Sequence, residues 1–383
     1  MSSTKKKFKL KHYINYIGVA LALVVLLILA NNGSLSRSTM GLLPKIGYSI
    51  ILAVSLNLVV GFLGELSLGH AGFMCVGAYL GSYFSIFIHS YIDNDIICLF
   101  LSMLVGGLVA AFFGFIIGLP ALRLKGDYLA IVTLAFGEIV RNIFKNLDVF
   151  GGALGLKTSK IKFNSAKDTT LFVVTFIVLL VVLYFIQNLI RSKHGRAITA
   201  IRDNEIAAKA MGINVTYYKL FVFTIAAFFA GIAGVIYGHS TTPIMYSNFD
   251  YNYSIEILVM VVIGGIGSIS GSIVAATGIT IINSVLQNKL TGDMSALRLL
   301  VYALILIIVV IFTNAPALKP IKEKLSIKNI FKSKKADVIS DDDAAWNRIE
   351  TKIKMDELLS TDVANVNKAY TPDKSSNSGK DGK

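Results

Sequence analysis

Apolar residues fall in ten runs along the chain, separated by short polar or glycine-rich segments. The runs lie near 14–30, 46–63, 71–89, 97–119, 128–146, 170–190, 218–238, 255–266, 271–287 and 298–314. Several of them reach the roughly 20 residues that a helix needs to cross the hydrocarbon core of a bilayer. The pattern predicts an all-α, polytopic membrane protein with about ten transmembrane helices.

Two glycine-rich stretches interrupt this apolar pattern, one over 61–72 and the other over 264–271. Inside a membrane, irregular backbone is tolerated only where it is buried in protein or lines a cavity. Glycine also lets neighbouring helices approach closely. We therefore expect both stretches to lie inside a helical bundle, and the second to form a turn between two crossings.

The composition supports this fold class. Of the 383 residues, 54% are hydrophobic and 16% are charged, whereas soluble domains average about 25% charged residues. A net charge of +14 would indicate a nucleic-acid partner for a soluble protein. Here the positive residues sit in loops and tails, where they set orientation in the lipid bilayer, so no nucleic acid is expected.

Lysine and arginine set the predicted orientation. Five lysines precede the first apolar run, and seven fall within 319–335. Positive residues collect on the cytoplasmic side, so both termini are expected there, which requires an even number of crossings. The count is even if 258–287 crosses twice. Cytoplasmic regions then carry 20 Lys and Arg residues against 8 in external loops, although four lysines between 157 and 167 run against the bias.

The domain organisation follows from these runs. We expect a basic cytoplasmic tail at 1–13, a transmembrane domain at 14–316, and a basic, then disordered, cytoplasmic tail at 317–383. The first apolar run also loosely resembles the core of a signal peptide, but no clear A-x-A site precedes Asn31. Because the parity of crossings needs this run, we interpret it as a retained helix.

The longest polar segment between two apolar runs covers 195–220 and overlaps the cytoplasmic loop expected over 191–217. It predicts a short helix over 204–211, with Asp203 as its N-cap, Glu205 in its first turn and Gly212 closing its end. Isolated helices of this length are marginal in water, so this one should be held by docking. Two interpretations stay open: it packs on the membrane ends of its own chain, or it docks onto a soluble partner.

Glu138 and Arg141 lie three residues apart within the fifth apolar run, so they share a helix face and can pair. Charges inside a span are costly and usually face the bundle interior or a water-filled path. The pair either lines a route for a zwitterionic solute or neutralises itself between helices.

Polar residues also cluster at the first glycine-rich stretch, where Asn57, Glu65, Ser67 and His70 surround the broken apolar run. They either contact a translocated solute or satisfy backbone groups that the break exposes, which are expensive to leave unpaired in lipid. We carry Asn57, Ser67 and His70 as candidates for the translocation path, together with the charged pair.

No catalytic chemistry is recognisable in the sequence. There is no P-loop or other nucleotide-binding fingerprint, and the histidines and the two cysteines lack metal-ligand spacing. We expect no metal, no cofactor and no enzymatic activity of the chain itself. If ATP drives the protein, another subunit must bind it.

Four long segments together resemble one family, the M-type permease subunits of branched-chain amino acid ABC importers. In chain order they are LSLGHAGFMCVGAYLGSYF, LPALRLKGDYLAIVTLAFGEIVRNIF, GRAITAIRDNEIAAKAMGINVTYYKLFVFTIAAFFAGIAGVIYG and SIEILVMVVIGGIGSISGSIVAA. The resemblance covers roughly residues 40–315. The third segment resembles the cytoplasmic coupling segment of that subunit, placed between spans six and seven.

The resemblance implies a heteromeric importer in the cell membrane. Its partners would be a homologous H-type permease, two ATP-binding subunits, and an external or periplasmic solute-binding protein that delivers the amino acid. Ala207, Ala208 and Gly212 match the Ala-Ala-x-x-x-Gly core of the coupling helix, although Ile206 displaces the usual glutamate from the alanines. The residues expected to couple to the ATPase are Arg202, Glu205, Ala207, Ala208, Met211 and Gly212.

The solute stays open at this point. Relatives in this permease group are linked to leucine, isoleucine and valine, and also to urea, short amides and other amino acids. A stand-alone channel or secondary transporter is a further alternative, and it would need no cytoplasmic docking helix.

Overall fold

The computed structural model describes residues 14–32, 36–92, 94–124, 126–158 and 169–289, with isolated positions at 303, 304 and 307. Within these residues the fold is all-α, as the apolar pattern predicts. The helices are α1 Ile14–Asn31, α2 Arg37–Asn57, α3 His70–Val76, α4 Ser82–Ile88, α5 Asp95–Ala121, α6 Asp127–Asn146, α7 Thr170–Arg191, α8 Lys193–Asp203, α9 Glu205–Ala210, α10 Val215–Ser240, α11 Tyr251–Gly264 and α12 Ile269–Lys289.

Six helical stretches in the described part of the chain are long and apolar enough to cross a membrane. They are 38–63, 70–88, 95–121, 170–191, 215–240 and 269–287. Two shorter apolar helices, 16–30 and 251–264, coincide with the first and eighth predicted runs. The tenth run, at 298–314, lies outside the described residues except for three positions, as do the tails at 1–13 and 317–383. The count of ten crossings therefore stays a prediction.

Helix α10 forms the centre of the bundle and packs against α2, α3 and α5. Small residues permit this close packing. A Cβ added to Gly231 would meet the side chain of Ala110 and the carbonyl of Gly106 on α5, and one added to Gly77 would overlap the backbone of Gly231. Glycine at these positions brings backbones together, which is how helices associate where the surrounding lipid is as apolar as their side chains.

Both predicted interruptions are present. Helix α2 ends in a π-helical turn, Leu58–Leu63, which Gly64 closes in the left-handed conformation at φ +82°. Irregular backbone then leads to α3. The second interruption turns α11 back into α12, and a Cβ at either Gly264 or Gly271 would collide with the other residue's backbone. The two helices therefore form an apposed pair, and the double crossing over 258–287 stays a prediction, since α11 is shorter than the six candidate spans.

Candidate functional site

Three side-chain caps divide the polar segment between α7 and α10 into short helices. The Ser192 hydroxyl accepts a hydrogen bond from Gly195 N at 3.3 Å at the start of α8. The Asn204 amide oxygen accepts from Ala207 N at 3.0 Å, and that of Asn214 accepts from Tyr217 N at 3.1 Å. Each cap satisfies an N–H group that the first turn of a helix leaves without a partner. The polar residues of this segment thus fix where α8, α9 and α10 begin.

The prediction that Asp203 caps the short helix is wrong. Asp203 is the last residue of α8, and its carboxylate accepts a hydrogen bond from the Arg202 guanidinium at 2.9 Å. Asn204 is the N-cap because its backbone is extended, at φ −159° and ψ 104°, the conformation a cap needs. The helix itself is shorter than the predicted 204–211, running over Glu205–Ala210.

The predicted closure by Gly212 is confirmed. Gly212 lies in the left-handed region at φ +81°. Its N–H donates to the Lys209 carbonyl at 3.0 Å, and Ile213 N–H donates to the Ala208 carbonyl at 3.1 Å. These two bonds form a Schellman motif, which satisfies carbonyls at the end of a helix and strongly favours glycine at this position.

Helix α9 exposes large apolar side chains. Ile206 is 81% exposed and Met211 is 82% exposed, and Ala207 beside them is exposed as well. Ala208 is different: it is 4% exposed and packs into the core of its own chain. This face of α9 is therefore covered by its own chain, and a coupling role for Ala208 stays a prediction. We call Ile206, Ala207 and Met211 the α9 patch.

The inward side of α9 is tied to the bundle by a buried lysine. Lys219, near the start of α10, has its side chain 4% exposed. Its ammonium lies 2.5 Å from Glu65 Oε1 and 3.3 Å from Glu205 Oε2. Glu65 belongs to the irregular backbone after α2, whereas Glu205 is the first residue of α9. One cation thus joins the short helix to the interruption in α2.

Arg202 makes a second connection between these regions. Its Nη1 donates to the Gly61 carbonyl at 3.0 Å, within the π-helical turn. A Cβ on Gly61 would in turn overlap the backbone of Gly267, in the turn between α11 and α12. The segment α8–α9, the end of α2 and the α11–α12 turn therefore lie at one end of the bundle.

Asn57 holds the α11–α12 turn against α2. Its Nδ2 donates to the Ser268 carbonyl at 3.1 Å and to the Ser272 hydroxyl at 2.9 Å, and its Oδ1 accepts from Gly267 N at 2.9 Å. The residue is fully buried. These bonds support the interpretation that Asn57 satisfies backbone groups at an interruption.

Ser67 and His70 are buried beside the same interruption. His70 Nε2 lies 2.9 Å from the Ser55 hydroxyl, which itself donates to the Leu52 carbonyl at 3.0 Å. Within the described residues, Ser67 Oγ and His70 Nδ1 have no hydrogen-bond partner. The backbone around them is held by other helices, since Leu68 N donates to Thr133 Oγ1 on α6 at 3.0 Å. Solute contact by Ser67 and His70 stays a prediction.

Glu138 and Arg141 form the predicted pair. Arg141 Nη2 lies 2.6 Å from Glu138 Oε2, and each side chain is 25% exposed. Glu138 Oε1 also accepts a hydrogen bond from Tyr251 N, at 3.1 Å, at the start of α11. The carboxylate therefore joins α6 to α11 while neutralising the arginine. This geometry favours the structural interpretation of the pair.

The two cysteines and His239 lie inside the helical bundle. Cys75 and Cys98 are both buried and do not form a disulfide bond with each other. Among the described residues, no group of three or more His, Cys, Asp and Glu side chains is arranged to hold a metal ion. His239, for example, lies 2.8 Å from the Val235 carbonyl and 3.0 Å from the Ser85 hydroxyl, so it connects α10 to α4.

Sequence reasoning missed Lys219 and a polar cavity bordered by Lys45 and Glu256. Lys219 was counted among the positive residues of a cytoplasmic segment, and Lys45 among those of an external loop. Glu256 offered a usable signal, because a carboxylate within a predicted span is expensive and marks a polar environment. The partners of Glu256 lie on other helices, so the sequence alone did not show which groups it faces.

Known membrane transport proteins are similar in sequence to the helical part of this chain. Residues 38–310 match a family model described as branched-chain amino acid transport system / permease component. The high-affinity branched-chain amino acid transport system permease protein LivM of Escherichia coli is 34% identical over 339 residues, which cover 81% of this chain and 77% of that protein. A probable LivM of Methanocaldococcus jannaschii is 30% identical over 257 residues, 59% of this chain and 74% of that protein.

A more distant match is to the ribose import permease protein RbsC of Haemophilus influenzae. It is 29% identical over 126 residues, which cover 31% of this chain and 38% of that protein. No solved structure matches the chain. All of these relatives are named as transport permeases. The residues that match the family model include the whole of α2 to α12 apart from the first residue of α2.

Proposed function

The chain belongs to the permease family of branched-chain amino acid transport systems, and from this premise we propose that it is the M-type permease subunit of an ATP-driven importer. It is a multi-pass membrane protein whose relatives are transport permeases. With a homologous H-type permease it forms a path for leucine, isoleucine and valine. Two separate ATPase subunits hydrolyse ATP, and an external solute-binding protein delivers the amino acid.

The observation that carries the coupling role is the two-sided placement of α9. Its outer face presents Ile206 and Met211 almost fully to the surroundings, next to a polar segment. Burying one such side chain at an interface is worth about 1.5–3 kcal/mol. Its inner face is fixed to the bundle through Glu205 and Lys219. A partner that moves the α9 patch therefore acts on the interruption in α2, because Glu65 binds Lys219, which also binds Glu205, and Gly61 binds Arg202.

This geometry favours an importer subunit over a stand-alone carrier. A stand-alone channel or secondary transporter has no use for exposed apolar side chains on a short helix at the end of its bundle. An ATPase subunit gives that surface a function, and its nucleotide site is absent from this sequence. We place α9 and both termini on the cytoplasmic side of the membrane, because ATP is bound there.

Family membership alone leaves several solute classes to distinguish, because a ribose permease is also similar to part of this chain. Urea, short amides and other amino acids are the competing solutes. We assign branched-chain amino acids because the relatives from Escherichia coli and Methanocaldococcus jannaschii, each matched over about three quarters of its own length, both carry that name.

The test uses the complex of this chain with its H-type and ATPase partners, purified through a tag on this chain. Met211→Arg and Ile206→Arg place charge on the α9 patch and should lower recovery of the ATPase subunits at least tenfold. Thr216→Arg adds the same charge at an exposed position at the start of α10, outside the patch, and should recover them normally. Normal recovery with both patch variants would show that α9 is not the ATPase contact.

A further inference from the structure

A polar cavity lies between α2, α11 and α12, away from the coupling segment. It has a volume of about 150 Å³ and is only partly enclosed. Lys45 and Tyr48 border it from α2, Glu256 from α11, and Thr280 and Asn283 from α12. Lys45 and Gly61, where Arg202 binds, are separated by 16 residues along α2 and its π-helical turn, or roughly 24 Å at 1.5 Å per residue.

The cavity brings opposite charges to one space. Among the described residues that border it, Lys45 supplies the cationic side chain and Glu256 the anionic one. Both are half-buried. Ionisable groups at membrane depth are expensive, and they usually face a protein interior or a watery path that uses them. The Glu256 carboxylate is oriented by Asn283, whose Nδ2 donates to Oε1 at 3.1 Å.

A buried hydroxyl without a partner points to a ligand in the same space. Thr280 is 9% exposed, and its Oγ1 has no hydrogen-bond partner in the part of the chain that the structure describes. Leaving a buried polar group unpaired costs about 1–3 kcal/mol, so native proteins rarely do it without a reason. In the wall of a charged cavity, a polar ligand supplies the missing partner.

We propose that this cavity binds the charged end of a zwitterionic α-amino acid on its way through the permease, an inference that rests on the proposed function. The Lys45 ammonium binds the α-carboxylate, and the Glu256 carboxylate binds the α-ammonium. Thr280 Oγ1 donates to the carboxylate. Neutral solutes such as urea, short amides and sugars lack both charges, so the site selects amino acids as a class.

The size of the cavity decides what is recognised. A cavity of about 150 Å³ holds a ligand of benzene size, and leucine is larger than benzene. The charged end therefore occupies the cavity, and the aliphatic side chain projects out of it. Recognition of main-chain charges treats leucine, isoleucine and valine alike, which leaves discrimination among side chains to the solute-binding protein.

The site is also connected to the coupling segment. The helices that border the cavity are the ones that meet at the opposite end, where Asn57 joins α2 to the α11–α12 turn and Arg202 binds Gly61. A displacement of α8–α9 against α2 therefore changes how α2 sits against α11 and α12. That change alters the distance between Lys45 and Glu256, and with it the affinity for the zwitterion.

The experiment measures uptake of labelled leucine, isoleucine and valine by proteoliposomes that contain the complete importer and its binding protein. Lys45→Gln and Glu256→Gln each remove one charge contact. Each should lower kcat/KM for all three amino acids by about tenfold to a hundredfold, because losing a hydrogen bond to a charged group changes an affinity by about that factor. Lys157→Gln, at an exposed loop position, is the matched control and should leave uptake unchanged.

Assembly is checked first by recovery of the ATPase subunits and by their basal ATP hydrolysis. If either charge variant fails to assemble, Thr280→Val, which preserves side-chain shape, carries the test and should lower uptake severalfold. Unchanged uptake by the assembled variants overturns the site while the proposed function stands. If the unaltered complex recruits ATPase subunits but carries only neutral solutes, or recruits none, the proposed function itself is wrong.

Discussion

Lys219 Nζ lies 2.5 Å from Glu65 Oε1, and this contact joins the start of α10 to the irregular backbone that follows α2. The two side chains are 4% and 12% exposed, so the pair is almost completely withdrawn from solvent. Glu205 at the start of α9 approaches the same ammonium, at 3.3 Å. The ammonium thus lies between the interruption that follows α2 and the candidate ATPase contact on α9.

Lys219→Met should strand the Glu65 carboxylate in its buried position. Removing one partner of a buried ion pair costs about 3–5 kcal/mol in the free energy of unfolding. Adding Glu65→Gln should restore part of that loss, because the remaining group is then neutral. Thermal unfolding in detergent measures all three proteins, and additive losses in the double variant would show that the pair is not coupled.

Glu205→Gln serves as the contrast within the same network. Glu205 is 35% exposed, and it lies farther from the ammonium than Glu65 does. Exposed pairs contribute about 0–1 kcal/mol, so this variant should unfold close to the temperature of the unaltered chain. A loss as large as that of Lys219→Met would contradict the division of roles within the network.

Gly212→Val should disturb the end of α9 without disturbing membrane insertion. Left-handed backbone costs an ordinary L-residue roughly 1–2 kcal/mol, and a β-branched one more. A Cβ at this position meets nothing within 4 Å, so the cost is conformational. Recovery of ATPase subunits with the tagged chain should fall.

Gly212→Asn is the matched variant, since asparagine tolerates the left-handed conformation and also occurs at helix ends. Its recovery of ATPase subunits should remain near that of the unaltered chain. Equal losses for the valine and asparagine variants would mean that the residue itself, and not its backbone conformation, is required.

The pair on α6 offers a separate test of stability. Arg141→Ala leaves the Glu138 carboxylate with its bond from Tyr251 N but without its cation, and we expect a loss of about 1–3 kcal/mol. Glu138→Ala removes both bonds and should cost more than Arg141→Ala does. The double variant should be less damaged than Glu138→Ala alone, because the stranded arginine is gone. Thermal unfolding in detergent decides the order, and equal stability of all three variants would contradict a structural pair.

Orientation in the membrane is tested by cysteine accessibility. Lys193→Cys, at an exposed position at the start of α8, should react with a membrane-impermeant reagent only after the cells are opened. Leu154→Cys, 77% exposed in the connection between α6 and α7, should react in intact cells. The native Cys75 and Cys98 are buried and give little background. Labelling of position 193 in intact cells would reverse the orientation.

The sequence by itself determined the fold class and the places where helices are interrupted or end. Apolar runs long enough to cross a bilayer can only be helices, because lipid offers no partner to an unpaired backbone group. Glycine marked both interruptions and the end of α9, where Gly212 adopts the left-handed conformation that other residues avoid. These are short-range effects, decided within a few residues of where they appear.

The sequence was less decisive where two adjacent residues can both cap the same helix. Asp203 and Asn204 are both good caps, and the choice depended on which backbone became extended. Helix α9 has six residues, fewer than two full turns, so its sequence carries no periodicity that marks an inner face. That Ala208 points inward while Ile206 and Met211 point outward was decided by packing.

Only the tertiary structure decided which distant charges meet. Glu65 and Lys219 lie 154 residues apart, and Lys45 and Glu256 border one cavity from different helices. In a soluble helix, an apolar stripe shows which face turns inward, but a membrane helix is apolar on the lipid side as well. The arrangement of helices around α10 was therefore invisible in the pattern, and the partners of each buried charge follow from that arrangement.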